Sequence, residues 1–106
     1  MNSSLSKETF DDLFTAILSI DNRDDCYDFF DDLCTIQELK SIAQRFHVAR
    51  MLRDGMVYSE IVAQTGASTA TISRVNRSLL YGCGGYDKVL SKYGDIPSSE
   101  SLPKDR

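Results

Sequence analysis

Residues 58–80 read Y-S-E-I-V-A-Q-T-G-A-S-T-A-T-I-S-R-V-N-R-S-L-L. The pattern predicts a short helix, a tight turn at Thr65-Gly66-Ala67 and a second helix opened by Ser68. Ile61 and Val62 are apolar positions of the first helix. Gly66 can take a positive φ without a Cβ penalty. The Ser68 hydroxyl can accept a hydrogen bond from a free N–H in the next helix's first turn. Ile72, Val75 and Leu79 recur at i, i+3 and i+7, which turns one face of the second helix toward a core. The opposite face carries Thr69, Ala70, Ser73, Arg74 and Arg77. This is the layout of a helix-turn-helix whose second helix enters a DNA major groove. Many helical hairpins share a Gly turn and a Ser cap without touching nucleic acid, so the outward face has to discriminate. A solvated face usually fills with Glu and Lys for helix propensity. Thr, Ser and Arg are instead suited to base edges and phosphates.

At 106 residues the chain predicts one helical domain over residues 1–93, followed by a flexible tail over 94–106 in which Pro, Ser and alternating charges prevail. No run approaches the roughly 18 apolar residues of a membrane span. The N-terminal residues lack the basic start and apolar core of a signal peptide. Cys26, Cys34 and Cys83 are odd in number and show no C-x-x-C pairing, which reads as reduced, partly buried thiols in a cytoplasmic protein. With one histidine they make no zinc site. The net charge of −4 conceals a division. Residues 1–37 carry −7, residues 38–77 carry +3, and residues 78–106 are balanced. The acid is segregated from the helix-turn-helix, as a one-sided DNA footprint requires. Solvated faces alone would also give such a division.

Phe10, Leu13, Phe14, Ile17 and Leu18 form an apolar stripe on a first helix over about 6–19, stopping at Ile20-Asp21-Asn22. Cys26, Phe29, Phe30 and Leu33 mark a second helix over roughly 24–33. Its five aspartates form a solvated face, without the Gly-containing spacing of a calcium loop. Thr35-Ile36-Gln37-Glu38 is a capping box opening a third helix that runs to Arg53 or Asp54 and ends at Gly55. Leu39, Ile42, Ala43, Phe46, Val48, Ala49, Met51 and Leu52 spread over more than one of its faces, so it must be sandwiched, and a second subunit is a natural source of the other layer. Tyr81-Gly82-Cys83-Gly84-Gly85 reads as an irregular turn, with no Lys-Ser/Thr pair to make a phosphate loop. Tyr86, Val89, Leu90 and Tyr93 mark a last helix of about two turns. The fold class is all-α, with about six helices.

This order of elements, with the T-x-x-E cap and G-A-S-T-A-T-I-S-R, resembles the Trp repressor superfamily, most closely its YerC/YecD branch, over roughly residues 8–93. The resemblance implies an intertwined homodimer whose first three helices share one core. It also implies a sequence-specific DNA-binding regulator, with repression the expected sense, presenting two recognition helices to successive major grooves about 34–36 Å apart on a near-palindromic site. The family's DNA-contacting positions correspond to Ser68, Thr69, Ala70, Thr71, Ser73 and Arg74. Thr35, Arg45, Arg74 and Ser78 stand where the family has the threonine, two arginines and serine around its effector. Val75 departs from a family glycine directly after the arginine, and its isopropyl group should intrude into the indole slot, so tryptophan is not the expected effector. A second departure is a first helix of the module with Glu60 and no Lys or Arg, and Leu80 at a position that is basic in the repressor. Fewer phosphate contacts give a shallower salt dependence, by about 0.9 log units per lost contact. Lys40, Arg50, Arg53 and Arg77 could compensate.

In the leading reading, Thr69 and Ala70 meet thymine methyls, Ser73 reads alongside them, and Arg74 meets either guanine or phosphate. Arg77 belongs to the same face. A second reading is a protein-interaction module that uses the same hairpin without DNA. No enzyme is expected: His47 lies in an apolar helical run, and no nucleophile-base pair is visible. No cofactor, metal or membrane partner is expected, and the sequence names no small-molecule effector.

Overall fold

The computed structural model describes residues 7–93. It contains six α-helices: α1 (Lys7–Leu18), α2 (Arg23–Leu33), α3 (Ile36–Arg53), α4 (Tyr58–Thr65), α5 (Thr69–Tyr81) and α6 (Gly85–Tyr93). Among the described residues there is no strand, so the all-α class holds. The expected tail over 94–106 and the N-terminal residues 1–6 lie outside the described residues.

Local chemistry sets most helix boundaries. Asn22 is not only the end of the first linker. Its side-chain oxygen accepts from the Asp25 N–H at 2.8 Å and caps α2. Asp24 and Asp25 then sit in the first turn, where the helix dipole favours negative charge. The capping box of α3 is formed in both directions. The Thr35 N–H donates to Glu38 Oε1 at 2.8 Å, and the Glu38 N–H donates to Thr35 Oγ1 at 3.1 Å. The bond from the Thr35 N–H, and then the Thr35 hydroxyl, hold the Glu38 carboxyl below the usual carboxylate range. At the other end, Gly55 takes φ 85° and the Met56 N–H reaches back to the Met51 carbonyl at 3.0 Å, closing α3.

Three expectations at the C-terminal end need correction. Tyr81 is not part of an irregular turn but the last residue of α5, which is capped at Gly82. Gly85 is not part of an irregular turn but the first residue of α6, because Gly84, at φ 79°, completes the reversal before it. Cys83 is exposed rather than partly buried, since it sits in the short link between α5 and α6; Cys26 and Cys34 are half-buried.

The described residues divide into two compact units, one ending at Lys40 and one beginning at Ser41. In the first, α1 and α2 contain no buried residue. Their aromatic rings pair locally, Phe10 with Phe14 at 6.1 Å and Phe29 with Phe30 at 5.5 Å, while Leu18 is 84% exposed and Leu33 48%. The second unit has a real core. Val48 and Ala49 of α3, Ile61 of α4, Ala67 of the turn, Ile72 and Val75 of α5, and Leu90 of α6 are buried together. Phe46, Met51, Leu52, Met56, Leu79 and Tyr86 pack around them.

Three outcomes test this description. Ile72→Ala should destabilise the protein by about 2–5 kcal/mol in urea unfolding, because a fully buried branched side chain leaves a cavity. Gly66→Ala, at φ 73° with open space around the new Cβ, should cost about 1–2 kcal/mol from backbone conformation alone. Glu38 is held ionised in the folded state, so its contribution is complete above the ordinary glutamate value and is lost as pH falls through the lowered folded value. Glu38→Gln should therefore lower the melting temperature at neutral pH, with the difference from the parent shrinking in acid.

Candidate nucleic-acid interface

The interface is built by α4, the turn at Gly66 and α5. Gly66 takes φ 73°, and its N–H closes on the Val62 carbonyl at 2.9 Å, ending α4. Thr65 fastens the turn, donating from Oγ1 to the Ile61 carbonyl at 2.7 Å and accepting from the Ala67 N–H at 3.1 Å. Gln44 of α3 also donates to the Thr65 carbonyl at 3.2 Å. Ala67 is then buried, and Ser68 begins the next helix.

Ser68 is occupied. Its hydroxyl accepts the Thr71 N–H at 3.1 Å and donates to Thr71 Oγ1 at 3.1 Å. Thr71 itself is half-buried. These two hydroxyls shape the helix start, whereas Thr69, Ala70, Ser73, Arg74 and Arg77 are all exposed. No described residue holds Arg74 or Arg77 in a hydrogen bond or ion pair. Tyr81, 82% exposed at the end of α5, follows Arg77 by four residues and continues the same stripe. Helical periodicity carried to the last turn would have found it in the sequence.

The compensating cations divide. Arg50 donates to the Tyr93 hydroxyl at 3.1 Å and lies over that ring, 5.7 Å from its centroid. Arg53 pairs with Asp87 at 3.1 Å and donates to Ser91 at 3.1 Å. Both are engaged in holding α6 against α3, around an open cavity of about 260 Å³ that Asp54 and Leu90 also line. Both guanidinium groups therefore already have partners within the fold. Arg77 and Lys40 are exposed without such ties. Leu80 is 63% exposed, an apolar side chain at the C-terminal end of the recognition-type helix.

The four positions expected around an effector have different settings. Arg74 and Ser78 are one turn apart on α5 and both exposed. Arg45 of α3 donates to Ser41 Oγ at 3.0 Å. Thr35 belongs to the first unit and caps α3. Val75 is 2% exposed and lies within the core cluster, so its isopropyl group is committed to packing. His47 is exposed, with its ring edge-on to Phe46 at 5.8 Å. Partial burial, and then the Arg50 charge, push its pKa down, so the imidazole is neutral at physiological pH. Among the described residues no three His, Cys, Asp or Glu side chains are grouped to hold a metal ion. No described helix is long and apolar enough to cross a membrane.

Comparison with known proteins gives this geometry a family. The family model described as Trp repressor protein matches residues 8–93. The uncharacterized protein YerC of Bacillus subtilis (strain 168) is 50% identical over 97 residues, covering 92% of this chain and 93% of that relative. The crystal structure of a TrpR-like protein from Eubacterium eligens is 52% identical and superposes with a TM-score of 0.84, covering 92% of this chain and all of that one. The chain is therefore a member of the Trp repressor family, on its YerC-like side.

Proposed function

We propose that this protein is a homodimeric, sequence-specific DNA-binding transcriptional regulator, a repressor in its expected sense, that reads operators through α5. The observation that carries the reading is the outward face of that helix. It combines small side chains near the N-terminal end with two unpaired guanidinium groups, opposite a buried Ile72–Val75 face. Small groups let a helix approach base edges closely, and free arginines supply attraction to phosphate and guanine. Membership of a family of DNA-binding regulators supports the same conclusion.

Dimerisation is supported by what the first unit leaves uncovered. Two helices with apolar stripes and no buried residue have no core of their own, and Ile36 at the start of α3 is 60% exposed. A self-complementary apolar surface of this kind is satisfied by a two-fold partner. Such a dimer would set two α5 helices about one helical turn of DNA apart, 34–36 Å, on a near-palindromic site.

The reading leaves tryptophan without a place. The Thr35, Arg45, Arg74 and Ser78 positions remain candidates for an effector of other shape, while the Val75 side chain occupies the space a glycine would leave open beside Arg74.

In gel-shift titrations against a genomic fragment pool, the protein should retain specific fragments. Arg74→Ala should weaken retention, and truncation after Gly94 should not. No enriched fragment, or no effect of Arg74→Ala, would contradict the reading. By sedimentation, the parent chain should run at twice its monomer mass, and Leu18→Glu combined with Leu33→Glu should run at the monomer mass. Titration calorimetry with free tryptophan should give no saturable heat. Micromolar binding would show that Val75 leaves the slot open.

A further inference from the structure

Two arginines share the outward face of α5, and their positions around the helix differ. Ala70 and Arg77 are seven residues apart, which brings them back to within about 20° of each other. At about 100° per residue, both lie roughly opposite the midpoint of the buried Ile72 and Val75. Arg77 therefore sits on the crest of the exposed stripe. Arg74 lies about 50° round from that crest, on the Val75 side and next to the half-buried Thr71.

Direction along the helix matters as well. Side chains on an α-helix lean toward its N-terminus. From position 77 that lean is toward Ser73 and, beyond it, Ala70, both short side chains, with Arg74 to one side of the line. The N-terminal end is the one a recognition helix inserts toward the bases. Tyr81, one turn behind, lies C-terminal to Arg77 and closes the stripe on the far side. Arg50 and Arg53, which could have shared the electrostatic load, are engaged with Tyr93, Asp87 and Ser91.

We infer that Arg77 is the base-reading arginine, taking a guanine through its two parallel N–H donors, and that Arg74 contacts the phosphate backbone at the groove edge. The inference rests on the DNA-binding reading above. It assigns each half-site a guanine read from the crest of α5, beside the thymine methyls that Thr69 and Ala70 are placed to meet. Guanine offers O6 and N7 side by side in the major groove, which matches the planar fork of a guanidinium and not the point charge of an ammonium.

The test takes a duplex retained from the genomic pool and substitutes each base pair in turn, measuring affinity for the parent, Arg74→Ala, Arg77→Ala and Arg77→Lys at several salt concentrations. The parent should lose on the order of tenfold to a hundredfold at one G·C pair per half-site. Arg77→Ala and Arg77→Lys should both flatten that position, with Arg77→Lys keeping most of the affinity for the substituted duplexes. Arg74→Ala should weaken every duplex about equally and lower the salt slope by about one per subunit. Both positions are exposed, so the variants should melt with the parent, and circular dichroism checks this. The reverse pattern, a guanine position flattened by Arg74→Ala with uniform weakening by Arg77→Ala, overturns the assignment while leaving DNA binding standing. A parent protein that retains no duplex at all overturns the DNA reading itself, and the assignment with it.

Discussion

The rest of the helix-turn-helix depends on one packing contact: Ile61 of α4, and Ile72 and Val75 of α5, buried against Val48 and Ala49 of α3. Each fully buried branched side chain contributes about 1.5–3 kcal/mol relative to exposure. More consequential than the sum is what the contact fixes. Once Ile72 and Val75 face inward, helical periodicity fixes which residues face outward, and these are Ala70, Ser73, Arg74 and Arg77. The polar bonds of the turn then set the angle at which α5 leaves α4. Thr65 holds Ile61 and Ala67, and Ser68 holds Thr71.

The same contact bears on the proposed exclusion of tryptophan. Val75 lies next to Arg74 in sequence and contributes to the core that orients α5. A glycine there would give up that packing and open space beside the arginine. In the proposed reading, the packing of α5 and the exclusion of tryptophan thus have a common physical origin in one side chain.

Much of this was legible in the sequence because it is local. Thr35 with Glu38, Gly66 and Ser68 announce their own bonds through spacing alone, and each bond forms as the spacing requires. The apolar periodicity of α5 likewise identified its buried side. What escaped depends on neighbours distant in sequence. Arg50 and Arg53 looked available to phosphates, but Tyr93, Asp87 and Ser91 lie 34 to 43 residues away and take them up. The cluster of glycines points to a turn through Gly85, although the reversal needs only Gly84 at positive φ. Asn22 reads as a terminator in sequence, although its side chain starts the next helix.

The most direct measurement of the central claim is selection of bound duplexes from a random-sequence library by the purified protein, repeated with and without a small-molecule extract of cells. A dimeric reader predicts an enriched, near two-fold-symmetric site whose half-sites are centred about one helical turn apart. Recovery of an unenriched pool under both conditions would contradict it, and would leave the exposed face of α5 without the partner its chemistry fits.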